Sequence, residues 1–170
     1  MNRARWRNRA AAGAWDVAVF ADADIMVSMP EQVTLAVATA ERTGHLTYAH
    51  DWRAQLSQQG TTEVLQGGDP CRADIEAWDP HTFSGCYAVP RRLWDAVGGF
   101  DERFAGWGWE DLAFMRACGA LGGGLQRAPG VIYHCWHPQE HDDGGGNVEL
   151  WQRYDRAGWA PHKMRQVIAR

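Results

Sequence analysis

Three groups of side chains in this chain have the types and the spacing that chemistry requires. The first is FADADIM (20–26), where Asp22 and Asp24 follow directly on an apolar run. Residues two apart in extended chain point the same way, so both carboxylates can reach one ligand from one side. In open α/β sheets ligands sit at the carboxyl ends of strands. A pair of hard oxygen donors there suits Mg2+ or Mn2+, above all where a diphosphate supplies the other oxygens. Asp-x-Asp arises by chance on the order of once per few hundred residues. The placement after a strand, rather than the tripeptide, therefore carries the reading.

The second group is VIYHCWHPQEH (131–141), which contains His134, His137 and His141. Imidazole is a common ligand for Mn2+ and Zn2+. Spacings of three and four could build a zinc site on a helix, but Pro138 breaks that helix, and the HExxH form with its activating acid is absent. A histidine at the end of a strand is more often a hydrogen-bonded structural residue. His134 becomes a ligand, with His137 as a further one, only if the fold brings it to Asp22 and Asp24.

The third is GGFDERFAGWGWEDLAF (98–114), which sets Trp107 and Trp109 among glycines and follows them with Glu110, Asp111 and an amphipathic helix. A core strand does not need the glycines, and a surface loop does not need the tryptophans. Together they describe a shaped, partly open surface with a carboxylate at its edge. The glycines, Gly108 among them, permit close backbone approach. In the first turn of a helix the macrodipole favours an ionised carboxylate, the state a general base requires. The simpler reading of Glu110 and Asp111 is favourable charge at a helix start.

The elements that must position these groups alternate. Arg3 to Ala14 reads as a helix, and WDVAVF (15–20) as a buried strand. Pro30 opens a helix that Gly44 closes. LTYAH (46–50) reads as a second strand, residues 53–80 as a polar excursion with little regular structure, at most a hairpin. TFSGCYAVP (82–90) reads as a strand, RRLWDAV (91–97) as a short helix stopped by two glycines, and Glu110 to Leu121 as a helix with one buried face. Val131 to His137 reads as the last strand, HDDGGG (141–146) as a flexible loop, and a C-terminal helix spans about 147–159. The pattern is α/β, with no internal repeat and no dividing linker, so a single domain over 1–170 is expected.

Bulk properties narrow the function. The 170 residues are 45% hydrophobic and 22% charged, with a net charge of −4. Interspersed acids and bases argue against a nucleic-acid partner bound through a basic face. The basic start MNRARWRNRA is followed by nothing of signal-peptide or membrane-span character. Four cysteines without a CxxC pair argue against a zinc knuckle, and with no secretory signal the expectation is reduced thiols in a cytoplasm. Tryptophan, present ten times, serves mostly as packing, but it is also a residue for stacking on ligands.

Taken in order, FADADIM, FSGCYAVPRRLWDAVGGFDERFAGWGWEDLAF and VIYHCWH resemble the successive motifs of nucleotide-sugar glycosyltransferases of the GT-A fold. The nearest groups are the family 2 enzymes and the C-terminal region of the β-1,4-galactosyltransferases and polypeptide GalNAc-transferases. The resemblance spans roughly 3–137. It implies a Rossmann-like mixed sheet flanked by helices. It also implies a metal-dependent hexosyltransferase, with a UDP-sugar as donor, Mn2+ or Mg2+ as cofactor, and a carbohydrate or glycosylated acceptor. Asp22 and Asp24 match the DxD motif, and His134 the histidine that completes the metal site. Val131 stands where the galactosyltransferases use a methionine ligand. Asp111 matches the general base of inverting members and Glu110 its acceptor-contacting neighbour. Trp107, Gly108 and Trp109 lie in the acceptor-shaping segment, where indole faces can meet sugar C–H groups. Arg7 and Asn8 fall on the helix before the DxD strand, and Ala23 within that motif, where members contact the nucleotide.

Family members also carry a preceding βαβ segment that binds the base. The expectation is thus an N-terminally truncated domain, a minimal enzyme, or one half of a split enzyme whose partner chain supplies that segment. Two other readings stand beside transfer: a non-catalytic carbohydrate- or protein-binding module, and a metal-dependent nucleotide-sugar hydrolase.

Overall fold

The computed structural model describes residues 2–80, 82–138 and 146–169. The expected loop 141–146, and His141 with it, lies outside the described residues except for Gly146. Helix α1 (Arg3–Ala10) starts at Asn2, whose side-chain oxygen accepts from the Arg5 backbone N–H at 2.8 Å. It is shorter than expected because the chain turns at Ala11 toward Gly13. Strand β1 (Val17–Ala21) follows, then β2 (Ile25–Val27), α2 (Pro30–Thr43), β3 (Leu46–Tyr48), β4 (Trp52–Leu56), α3 (Gln58–Leu65) and β5 (Ile75–Pro80). Beyond these come β6 (Cys86–Pro90), α4 (Arg91–Val97), α5 (Glu110–Gly122), β7 (Leu125–Arg127), β8 (Val131–His134), α6 (Asn147–Ala157) and α7 (Pro161–Ile168).

The architecture is mixed α/β with helices flanking the strands, but the strands divide over two mixed sheets rather than one. One sheet has the order β1-β6-β3-β7 and the other β2-β8-β4-β5. The chain passes from the first sheet to the second between β1 and β2, between β3 and β4, and between β7 and β8. Gln32, buried in α2, ties the sheets together. Its side-chain nitrogen donates to Ala49 O at 2.6 Å beside one sheet and to Val131 O at 3.2 Å in the other. Its oxygen accepts from the Met29 backbone and so closes the start of α2.

Residues 53–80 hold more regular structure than expected, although the hairpin reading anticipates the pairing of their strands. They form β4 and β5, an antiparallel pair, with α3 between them. A sheet buried on one face carries polar residues at alternate positions, as β4 does in WRAQL, and that pattern resembles a loop in composition. Strands β2 and β7, three residues each, and helix α7 were not foreseen. The last strand stops at His134 instead of His137, and α6 stops at Ala157, where Gly158 turns the chain.

The core that fixes the site is a ring cluster. Phe100 stacks on Phe114 of α5 at 4.2 Å, and Phe20 of β1 stacks on Trp94 of α4 at 5.4 Å. Phe100 also meets Phe20 and Trp94 edge-on. These contacts seat the start of α5 beside the carboxyl end of β1. Helices α6 and α7 cover the far side of α5, with Tyr154 and Met164 buried there.

Candidate active site

A cleft of about 500 Å³ opens where the β1–β2 turn, the loop 82–84, the end of β8 and the start of α5 meet. Asp22, Asp24, His134, His137, Trp107, Gly108, Trp109, Glu110 and Asp111 all line it. Strand β1 ends at Ala21, so the two aspartates do not extend one strand. Asp22 follows β1, and Asp24 closes a turn into β2.

That turn is what brings Asp24 to the histidines. Strand β2 pairs antiparallel with β8, Ile25 opposite His134, and the Cys135 N–H donates to Asp24 O at 2.8 Å. The carboxylate oxygen Oδ2 of Asp24 then lies 3.6 Å from His134 Nε2 and 3.4 Å from His137 Nε2. The three residues offer ligand atoms within 4.8 Å of one another. Asp24 Oδ1 and His134 Nδ1 are shielded from solvent and have no hydrogen-bond partner among the described residues. Burial, with Arg53 and His137 nearby, lowers the His134 pKa against the pull of Asp24, which favours the neutral, metal-binding imidazole.

Asp22 is engaged otherwise. Its Oδ2 accepts from the Gly85 N–H at 3.0 Å and its Oδ1 from Arg7 Nη2 at 3.0 Å. Gly85 holds φ +99, and a Cβ there would run into the Ile132 side chain, so only glycine places that N–H. The other arm of Arg7 donates to Asp111 Oδ1 at 2.6 Å and lies 3.5 Å from Glu110 Oε1. Arg3 Nε is also 3.5 Å from Glu110. Three carboxylates thus share two guanidinium groups. Burial raises the Asp111 carboxyl, opposed by Arg7 and reinforced by Glu110 and Asp22, to about 7. Arg7 is desolvated too, but Asp111, Asp22 and Glu110 hold it more firmly protonated.

Trp107 and Trp109 are each at least a third exposed at the cleft rim. Trp109 has φ +74, the one non-glycine in the left-handed region among the described residues, and it stacks on Trp151 of α6 at 5.7 Å. Such a conformation is sustained only where surrounding structure fixes it. Asn147, the buried first residue of α6, supplies that support. It accepts from Ala105 N–H at 3.1 Å and donates toward the carbonyls of Ala105 and Gly108 at 2.8 and 3.2 Å.

Of the residues expected at the donor, Ala23 is exposed in the β1–β2 turn and is not part of the cleft lining. Asn8 exchanges two hydrogen bonds with the Phe100 backbone, at 3.0 and 2.8 Å, and a third bonds Glu102. It shapes the Gly99–Glu102 turn. Arg7 bonds Asp22 and Asp111 but is not itself part of the cleft lining. Asn147 and Gly85 had no chemical signature in the sequence. Arg53 and Gln55, which also line the cleft, lay in the stretch read as irregular.

Comparison with solved structures decides the fold. The chain matches the crystal structure of GalNAc-T7 with UDP, GalNAc and Mn2+ at a TM-score of 0.57 and 13% identity. The match covers 90% of this chain and 34% of that one. The fold is that of a GT-A glycosyltransferase domain. A family model described as the N-terminal domain of galactosyltransferase matches residues 71–142, a stretch that carries α5, its two acids and β8. No curated protein sequence matches the chain. The chain spans about a third of the length of the solved structure it resembles.

Within this GT-A domain the donor atoms suit a divalent cation. One carboxylate and two imidazoles form a mixed oxygen and nitrogen set of the kind that binds Mn2+. All four of the cysteines are free and none belongs to this cluster.

Proposed function

We propose that this chain is a metal-dependent glycosyltransferase domain that moves a hexose from a nucleoside diphosphate sugar to an acceptor hydroxyl with inversion. One observation carries the reading: the Asp24, His134 and His137 cluster and the Asp111 carboxylate line the same cleft. Asp24, His134 and His137 would hold Mn2+ or Mg2+, with Asp22 beside them. Bound there, the ion would neutralise charge on the departing diphosphate.

The protein's own groups account for the remainder. Trp107 and Trp109, exposed at the cleft rim, would give an acceptor sugar an aromatic surface to lie on. Glu110, buried on the cleft wall and anchored by Arg3 and Arg7, would accept a hydrogen bond from a second acceptor hydroxyl. Asp111 takes the proton of the attacking hydroxyl as its oxygen bonds to the anomeric carbon and the nucleoside diphosphate leaves. Direct displacement by a hydroxyl activated in this way inverts the anomeric centre. Arg3, on the cleft wall and more than a third exposed, is available to the donor phosphates.

The test is nucleoside diphosphate release from a panel of UDP- and GDP-sugars with Mn2+, with and without saccharide acceptors. Release that requires an acceptor, vanishes in Asp24→Ala and falls about 1000-fold in Asp111→Asn supports transfer. Release indifferent to acceptor means hydrolysis. No release in any combination contradicts the reading.

A further inference from the structure

The Arg7 guanidinium touches both sides of the site without facing the cleft. One nitrogen reaches Asp22, beside the metal cluster, at 3.0 Å, and the other reaches Asp111 at 2.6 Å. Its side chain is 15% exposed and lies over the Phe100 ring at 5.0 Å. It borders a separate groove with Trp6, Trp15 and Phe20. Arg7 is not part of the lining of the cleft that holds Asp22 and Asp111.

We propose that Arg7 is a positioning residue: its planar fork fixes Asp111 on the acceptor side relative to Asp22 on the metal side. This rests on the glycosyl-transfer reading for its purpose. Only a guanidinium fits the position. It presents two parallel donors to two carboxylates and a flat face to Phe100, whereas an ammonium on the same stem cannot span both. The location on α1, a helix seated by Asn2 and Asn8 against the Phe100–Glu102 turn, makes the fork rigid.

The arrangement predicts a pattern that a merely structural arginine would not produce. Arg7→Gln removes a positive charge from beside Asp22, so the chain alone binds Mn2+ more tightly, by about threefold to tenfold. Transfer falls about 100-fold in kcat, the order expected when a base is misplaced by about an ångström. Arg7→Lys keeps the charge: Mn2+ affinity stays within about twofold of wild type while kcat falls about tenfold. Mn2+ affinity is read by electron paramagnetic resonance on chains whose circular dichroism matches wild type.

The proposal is overturned if Arg7→Gln binds Mn2+ no more tightly than wild type, or if Arg7→Lys transfers at the wild-type rate. Should Arg7→Gln misfold, Arg7→Lys decides through its split between retained Mn2+ affinity and lost kcat. If the wild-type chain binds Mn2+ but transfers nothing, the glycosyl-transfer reading fails and the positioning role falls with it; if it transfers and Arg7→Lys keeps the wild-type rate, the positioning role fails alone.

Discussion

Asp111 is bonded to a half-buried arginine at 2.6 Å, and yet its carboxyl is pushed up to about 7. The cause is crowding: burial first, then Glu110 and Asp22 competing for the same cation. The sign has two consequences. A base acts when ionised, so kcat/KM should rise with pH through about 7 and level off above it, a rise absent from the residual activity of Asp111→Asn. The folded chain also binds this proton more tightly than the unfolded one. Between about pH 4 and 7 stability therefore falls as pH rises, and the loss persists above that window. Urea denaturation at pH 5 and pH 8 should show a smaller difference for Asp111→Asn than for wild type. Equal differences would contradict the raised pKa. The types and spacing of Asp24, Asp111 and His134 were legible in the sequence. The partner of Asp22 was not, because nothing in a linear string says that an arginine 15 residues earlier returns to it. His137 is only a further candidate on the sequence, because spacings of three and four suit a helix that Pro138 breaks, and the strand ends before it.

At the scale of elements, the site depends on short pieces whose signals are weak. Strand β2 has three residues, too few for periodicity to register, yet its pairing with β8 is what sets Asp24 beside His134. By contrast α2 was readable at both ends, from Pro30 at its start to Gly44, at φ +76, past its last residue. Helix α6 was expected, but its task was not. Asn147 at its first turn and Trp151 one turn on hold the loop of Trp107 and Trp109 from behind. Asn147→Ala would leave the Ala105 N–H and the loop carbonyls without their buried partner. A loss of about 2 kcal/mol in chemical denaturation is expected. Weaker acceptor binding, with little change in donor KM, should accompany it. A variant as stable as wild type with unchanged acceptor KM would detach α6 from the site.

Across the whole molecule, the GT-A fold brings together groups from four separate stretches: the β1–β2 turn, the 82–85 loop, the start of α5 and the end of β8. The mixed α/β class and the order of the motifs could be read from the chain. The division into two sheets could not, since turns of a few residues carry β1, β3 and β7 into their successors in the other sheet without any break in composition. No described helix is long and apolar enough to cross a membrane. If the proposed function holds, one cleft takes a divalent cation and a nucleoside diphosphate together. The measurement that tests it most directly is the thermal unfolding midpoint of the chain with Mn2+ alone, UDP alone and both, for wild type and Asp24→Ala. A ligand that binds only the folded state raises the midpoint by mass action. The rise expected with both ligands exceeds the sum of the separate shifts and disappears in Asp24→Ala. Equal shifts in the two proteins, or none in wild type, would contradict it.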